Sequence, residues 1–361
     1  MALIRLDIAN FRNLTLAELE PLPSGFNMIY GNNGSGKTSL LEAIHFLSVG
    51  RSFRSSQTDR IISNLSEKFS IFAHVLSHIR QSVPIGIEKN RDKSSKIRLG
   101  GEDQHSIAEL TRLIPVRLIN SQNYSLLDGG PVFRRKYLDW GVFYLKNDFL
   151  SLWQRYDRAL KQRNAALRGK LSRKEIEIWT LEFLESALLF NQARLEYVQV
   201  LTPVLLEMLA EVFNSIVEID IEYQQGWDSE FDLDKVLTDS YLKDAWLGYT
   251  QFGPHKADLK VLINGVPAKD FLSRGQQKLF VCGMILAQGK LLYKLVKKHP
   301  IFLVDDLPSE LDSNSLRKVM GLLEQQKAQV FVTAIDLEVI KEFLSCSSKM
   351  FHVKQGTIIQ G

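Results

Sequence analysis

Apolar and polar residues alternate at the start of the chain, where Ile4, Leu6 and Ile8 are set against Arg5 and Asp7. A period of two predicts a half-buried strand. A second strand is predicted over Phe26 to Tyr30, and it runs straight into a glycine-rich loop. Beyond the loop, Leu40, Leu41, Ala43, Ile44 and Leu47 recur at helical spacing, which predicts a helix with one face against a sheet. From about Phe69 to Gln104, short alternating runs punctuated by Gly100-Gly101 predict antiparallel hairpins.

Between Val132 and about Phe213 the spacing becomes helical. Trp153, Tyr156, Leu160 and Leu167 mark one apolar stripe, and Leu181, Leu184, Leu188 and Leu195 mark another. Thr202-Pro203 reads as an N-cap followed by proline at the first helical position, so a new helix is expected there. Strand patterning returns over Ala257 to Ile263, followed by the hairpin turn Asn264-Gly265. Two wholly apolar stretches, Ile301 to Val304 and Val330 to Ala334, read as strands buried on both faces. The expected division is a sheet-containing head over 1–130 and 246–361, interrupted by an inserted, mainly helical lobe over 131–245.

At 361 residues, 45% hydrophobic and 24% charged, the chain has apolar material for a large core or two. A disordered or fibrous protein and a single small domain are excluded. Two cysteines, Cys282 and Cys346, cannot make a disulfide framework, and with a start that lacks a long apolar stretch they point to a reducing cytoplasm. The longest uncharged apolar stretch, Leu279 to Gly289, is too short for a bilayer of about 30 Å, so no membrane partner is expected. The net charge of +4 conceals a strong segregation. Arg134 to Lys174 holds twelve Lys or Arg against three Asp, a net of +9, which leaves the rest of the chain at −5.

Such segregation suits a phosphate-backbone binder, although an ordinary solvated face would carry the same pattern. Arg134, Arg135, Arg155, Arg158, Lys161 and Arg163 are the candidate DNA contacts, with Arg155, Arg158 and Gln162 able to share one helix face. A hairpin cluster of Lys89, Arg91, Lys93, Lys96 and Arg98 is a weaker candidate. No base-reading motif is present, so any DNA binding is expected to be salt-dependent and indifferent to sequence.

Gly31-Asn32-Asn33-Gly34-Ser35-Gly36-Lys37-Thr38 satisfies G-x-x-x-x-G-K-[ST], directly after a predicted strand and at the start of a predicted helix. Glycines let backbone N–H groups close around a polyphosphate, and the helix N-terminus adds partial positive charge. Lys37 is expected to reach the terminal phosphates of ATP, and Thr38 to ligate Mg²⁺. Ile301 to Val304 ends in Asp305-Asp306, which brings carboxylates to the end of a sheet. Asp305 is expected to hold Mg²⁺ through water, and Asp306 to polarise the water that attacks the γ-phosphate.

Ser273-Arg274-Gly275-Gln276-Gln277-Lys278 precedes another predicted helix, about thirty residues before the acidic strand. A serine hydroxyl, a glycine backbone and a helix N-terminus form an anion site, yet the chain already has one, so the phosphate must come from elsewhere. This segment resembles the signature loop of ABC-type ATPases, and Ser309-Glu310-Leu311-Asp312 resembles their D-loop. An inserted lobe of about a hundred residues, too short for a long coiled coil, narrows the resemblance to the RecF family of bacterial recombination mediators. The likeness runs the whole length, through Asn10-Phe11-Arg12-Asn13, Gly50-Arg51-Ser52-Phe53-Arg54, Gly130-Pro131, Leu138-Asp139-Trp140, Lys161-Gln162-Arg163-Asn164 and Gly253-Pro254-His255.

The resemblance implies two chains sandwiching two ATP molecules, with Ser273, Gly275 and Gln276 of one capping the nucleotide of the other. It further implies recombinational repair, replication restart and the SOS response, binding of single-stranded or gapped DNA, and partners among the other recombination mediators. Gln122 is the candidate for the family's nucleotide-sensing glutamine, and Arg51 and Arg54 are placed to couple nucleotide to DNA. Two departures from the wider ABC pattern, Asp306 for glutamate and Thr333 for histidine, imply slow hydrolysis, and the expected activity is a weak, DNA-stimulated ATPase that serves chiefly as an ATP-controlled binding switch. A rival reading is a soluble ABC-type ATPase acting as a transport or scaffold subunit on a protein partner. Lys37→Ala is expected to abolish nucleotide binding, measured by calorimetry, and unchanged affinity would refute the phosphate-site assignment.

Overall fold

The computed structural model describes residues 1–55, 57–64, 66–77, 81–104, 106–213, 218–336, 338–341 and 348–360, which leaves Cys346 outside the described residues. The chain forms two compact units, one of Met1–Asn123 with Lys278–Gly361 and one of Tyr124–Gln277.

The first unit begins with strands β1 (Ala2–Phe11), β2 (Leu14–Leu19) and β3 (Gly25–Tyr30), then helix α1 (Lys37–Val49). Strands β4 (Lys68–Leu76), β5 (Ser82–Asn90), β6 (Ser95–Leu99) and β7 (Glu102–Gln104) follow, then α2 (Ala108–Leu113) and β8 (Val116–Ile119). One sheet, ordered β2-β1-β4-β5-β6-β7, is antiparallel throughout, as the alternating runs predict. Leu6, Ile8, Ile71, Ala73, Ile85 and Ile87 face one core, against α1. Where one buried face was expected, α1 buries Leu40, Leu41, Ala43, Ile44, Phe46 and Leu47, because the same core also takes Ile29, Ile301, Leu303 and Phe331 from another sheet. Phe11, Phe46 and Phe69 meet edge to face at 5.1–6.1 Å and lock strand to helix.

The second unit holds α3 (Pro131–Leu145), α4 (Phe149–Arg168), α5 (Arg173–Phe213), β9 (Ile219–Gln224), α6 (Leu233–Asp239) and α7 (Tyr241–Leu247). Strands β10 (Asp258–Ile263) and β11 (Val266–Pro267) and helix α8 (Ala268–Phe271) complete it. The small sheet β11-β10-β9 belongs here, so this unit extends past 245, where the sequence pattern set the end of the lobe. Helix α5 continues through Pro203, and no new helix starts at Thr202. The Thr202 hydroxyl donates back to Val198 O at 2.9 Å, and Leu201, Val204, Leu205 and Met208 carry one buried face across the proline. The leucine stripe is not the core stripe, since Leu181 is 66% and Leu188 46% exposed. Phe183, Ala187, Phe190, Tyr197 and Leu201 go inside instead, and Phe190 stacks between Phe149 and Tyr156. Trp153 is likewise exposed, whereas Tyr156 is buried as expected.

Gly141 of α3 has to be glycine, because a Cβ there would lie 1.9 Å from the Tyr197 ring. Three ion pairs hold the unit: Arg134–Asp258 at 2.6 Å, Arg194–Asp139 at 2.8 Å and the wholly buried Arg163–Asp244 at 2.8 Å.

Helix α9 (Arg274–Val296) starts in the second unit and continues into the first, which then adds β12 (Ile301–Val304), α10 (Leu307–Glu310) and α11 (Ser313–Gln325). The chain ends with β13 (Gln329–Ala334), α12 (Glu338–Lys341), β14 (Ser348–Lys354) and β15 (Thr357–Gln360). By length and composition α9 could cross a membrane, yet 72% of its apolar window is buried, as in a core helix. The central sheet runs β15-β14-β3-β13-β12-β8, parallel except for β15. Every residue of β12 and β13 is buried, as their unbroken apolar runs predict. Asp244→Ala would leave the Arg163 guanidinium buried without its counter-charge. It is expected to destabilise the protein by about 3–5 kcal/mol, read as an earlier urea-unfolding midpoint.

Candidate nucleotide site

Parallel pairing aligns the carboxyl ends of β3, β13 and β12, with Thr333 opposite Ile29 and Val304 opposite Val332. Functional groups that leave these strands therefore meet along one edge. Gly31 (φ +150°), Gly34 (+76°) and Gly36 (+120°) turn the loop back into α1, and a Cβ on Gly31 would lie 2.3 Å from Val353 O. Asn13 fastens the loop from the β1–β2 turn, donating to Gly34 O at 3.0 Å and accepting from Ser39 Oγ at 2.8 Å.

Lys37 Nζ donates to Gly31 O at 2.6 Å and Asn32 O at 3.0 Å, so the ammonium is held inside its own loop. Burial moves its pKa below the usual lysine range, and the nearby Asp306 and Asp305 oppose that shift. The Ser35 hydroxyl is buried with no partner among the described residues, and the first turn of α1 carries no acid. An unsatisfied donor, a helix N-terminus and a lysine together make an anion cradle.

Thr38 Oγ1 donates to Asp305 Oδ1 at 3.0 Å. Thr333 Oγ1 donates to the same oxygen at 2.9 Å and accepts the Asp306 N–H at 2.8 Å. Burial raises the Asp305 pKa above the ordinary carboxylate value, against the two hydroxyl bonds, and the Asp306 charge adds to the rise. Asp306 sits in the left-handed region at φ +54°, where its carbonyl accepts from Ser309 Oγ at 2.8 Å. Thr333 is thus a strut beneath both acids, where the sequence pattern marked only the absence of a histidine.

These groups line a cleft of about 850 Å³, whose other wall carries Arg12, Arg54 and Arg60. Arg12 makes a forked pair with the fully buried Glu42, at 2.7 Å to the nearer oxygen, and donates to Arg60 O at 2.6 Å. Ser52 Oγ also bonds Glu42, and Arg54 lies 3.5 Å from it. Asn10-Phe11-Arg12-Asn13 stood out in the sequence, but nothing in it assigned Arg12 or Asn13 to the loop's wall and fastening. Arg60 carried no signal at all.

Gln122 is exposed just after β8, whose end flanks Asp305 through the bond from Asp305 N to Ile119 O at 2.9 Å, but it does not line the cleft. Ser273 and Gln276 form a reciprocal cap on α9: Ser273 N donates to Gln276 Oε1 at 2.9 Å and Gln276 N to Ser273 Oγ at 3.4 Å. Ser273, Gly275 and Gln276 are all exposed. In the D-loop-like segment, Glu310 pairs with Lys278 at 2.6 Å and Asp312 caps α11.

Four of the six candidate DNA contacts are committed inside the second unit. Arg163 is fully buried, donating to Asp244, Thr250 and Thr180, so it cannot reach a phosphate. Arg134 forks onto Asp258, and Arg135 donates to Ala257 O at 2.9 Å. Arg155 grips Glu182 and Glu185, both at 2.7–3.3 Å. Arg158 and Lys161 stay on the surface of α4, the latter paired with Asp157 at 2.6 Å.

A family model described as RecF/RecN/SMC N terminal domain matches residues 2–359. The chain is 42% identical over 359 residues to the DNA replication and repair protein RecF of Shewanella frigidimarina (strain NCIMB 400), with 99% of each chain covered. It is 43% identical to the RecF of Shewanella sp. (strain MR-7), with the same coverage. Among solved structures, that of the recombination mediator protein RecF-ATP in the RecFOR pathway matches with a TM-score of 0.87 at 27% identity, covering 100% of this chain and 97% of that one. The Smc head bound to the C-winged helix domain of ScpA matches at 14% identity and a TM-score of 0.60, covering 100% and 98%, a likeness of fold alone.

Thr333→Val is expected to slow nucleotide hydrolysis about 10- to 100-fold while nucleotide affinity stays close to wild type, and Thr333→Ser is expected to retain the rate. Single-turnover rates beside calorimetric affinities check this, and a full rate in the valine variant would remove the strut from the chemistry.

Proposed function

The chain belongs to the RecF family within the RecF/RecN/SMC N-terminal-domain proteins, and on that premise we propose an ATP-controlled DNA-binding switch of replication and repair. The observation that carries the reading is the contact of Thr38 Oγ1 with Asp305 Oδ1 at 3.0 Å, a hydroxyl and a carboxylate brought together beside a phosphate loop. Together they supply the oxygen donors that a Mg²⁺ ion takes, and the buried, partnerless Ser35 hydroxyl fits a phosphate oxygen. A divalent cation held there would neutralise charge between the β- and γ-phosphates.

The chain's own groups do the rest. Lys37 exchanges its loop carbonyls for phosphate oxygens, and the N–H groups at the start of α1 bind the chain of phosphates. Asp306, fixed in direction by Thr333 and Ser309, orients a water for attack. Its side chain is one methylene shorter than the glutamate it stands for, which supports slow turnover. A slow chemical step suits a switch, whose bound state has to outlast the encounter that it controls.

The capped serine loop supports a two-chain arrangement. Ser273, Gly275 and Gln276 are exposed at the start of a long helix, ready to meet a phosphate brought by a second copy. ATP would then couple association to DNA binding, because only the paired state completes both sites. The DNA would be single-stranded or gapped, read without regard to sequence, with other recombination mediators as protein partners and the cytoplasm as the setting. Ser273→Ala is expected to bind ATP as the wild type does yet form no ATP-induced dimer by light scattering. Dimers at the wild-type level would remove the serine loop from the interface, and no ATP-induced dimer in the wild type would overturn the switch itself.

A further inference from the structure

The short helix α7 is held rigidly and yet presents two large apolar side chains to solvent. Tyr241 and Ala245 face inward and pack against the cluster of Ala166, Leu167 and Ile176 at the turn between α4 and α5. Asp244, on the same helix, is fully buried in its pair with Arg163 and accepts from Gln251 N at 3.1 Å. Gly248 ends the helix at φ +75° and lies so close to Arg168 that a Cβ would meet its Cγ at 3.0 Å. The remaining face carries Leu242 and Trp246, four residues apart, which are 80% and 83% exposed. No other large apolar side chain among the described residues is as exposed as either.

Four cations lie on this helix and on the turn between α4 and α5 that it packs against. Arg168 ends α4, Lys170 lies in the turn that follows, Lys174 is in the first turn of α5, and Lys243 lies between the two apolar residues; all four are exposed and make no ion pair among the described residues. Arg173 is committed, to Glu177 at 3.1 Å and over the Tyr241 ring at 5.1 Å. A membrane-binding or protein-docking face would also expose Trp and Leu. An exposed flat indole on a rigid support, with unpaired cations on the same helix and on the turn that the helix packs against, fits alternating phosphates and unstacked bases better. A duplex offers the phosphates but keeps its bases stacked away from the indole.

We infer that the α7 tip is a stacking platform for single-stranded DNA, with Trp246 against a base and Arg168, Lys170, Lys174 and Lys243 along the adjoining phosphates. It rests on the DNA-binding reading above and gives that reading a location and a preference for unpaired strands. Trp246 is solvent-exposed, so Trp246→Ala keeps the fold, and basal ATP hydrolysis is expected to be unchanged.

The test compares wild type, Trp246→Ala and Trp246→Phe by anisotropy on an oligothymidylate and on a duplex of equal length, each with ATP and at two salt concentrations. Loss of stacking is expected to weaken the alanine variant's affinity for the single strand about ten-fold or more. Duplex affinity should stay within about twofold, with much of the single-strand affinity restored by phenylalanine. Equal affinities of wild type and Trp246→Ala for the single strand, or equal losses on both DNAs, would overturn the platform. So would Trp246-dependent binding to phosphatidylglycerol vesicles with DNA binding unaltered. A wild-type chain that binds neither DNA overturns the underlying reading, and the platform with it.

Discussion

One hydroxyl-to-carboxylate contact ties the candidate site together. Thr38 and Asp305 are 267 residues apart in the chain, and they meet because β3, β13 and β12 lie side by side and parallel. A parallel sheet sends every strand out at the same edge, so groups carried on strand ends converge without any local sequence relation. The burial of β12 and β13 makes that edge rigid, and α1, enclosed on more than one face, fixes the loop relative to it. Thr333 adds a further constraint at the middle strand. Its single proton goes to Asp305 and its lone pair to the Asp306 amide, so the two acids cannot be repositioned independently.

The second unit is built by charge as much as by apolar packing. Arg134, Arg163 and Arg194 each meet a carboxylate with little or no exposure, and Phe190 lies 4.3 Å beneath the Arg194 guanidinium. Arginine suits this use because its fork holds a carboxylate in two bonds and its plane stacks on a ring. Tyr156 and His255 extend the same network. The Tyr156 hydroxyl accepts His255 N–H and lies 2.9 Å from His255 Nδ1, while burial lowers the His255 pKa to about 4 and keeps the ring neutral at ordinary pH.

That network explains where the sequence was readable and where it was not. The phosphate loop and the acidic strand are contiguous strings whose chemistry follows from spacing alone, and the structure brings them together. The basic segment Arg134–Lys174 is an average over residues whose partners lie far along the chain: Asp258 for Arg134, 124 positions away, and Asp244 for Arg163, 81 away. A count of charges cannot separate an arginine that is buried against such a partner from one that faces water. The apolar stripes of α5 posed a similar difficulty, since Leu181, Leu188 and Leu195 and the set Phe183, Phe190 and Tyr197 are both seven-spaced. Only the shape of the facing surface, including the notch at Gly141 that receives Tyr197, decides in favour of the aromatics. Pro203 belongs to the same class, because a helix stop written locally gave way to a buried face that continues across it.

The folded-back Lys37 has a consequence for how tightly any polyanion is held. Its ammonium already satisfies two carbonyls of the loop, so a phosphate bound as proposed would displace an internal bond instead of a loose shell of water. On the proposed reading, the gain on capture would be the difference between two good hydrogen-bonded arrangements. Lys37 would then be a latch whose resting catch is the loop itself.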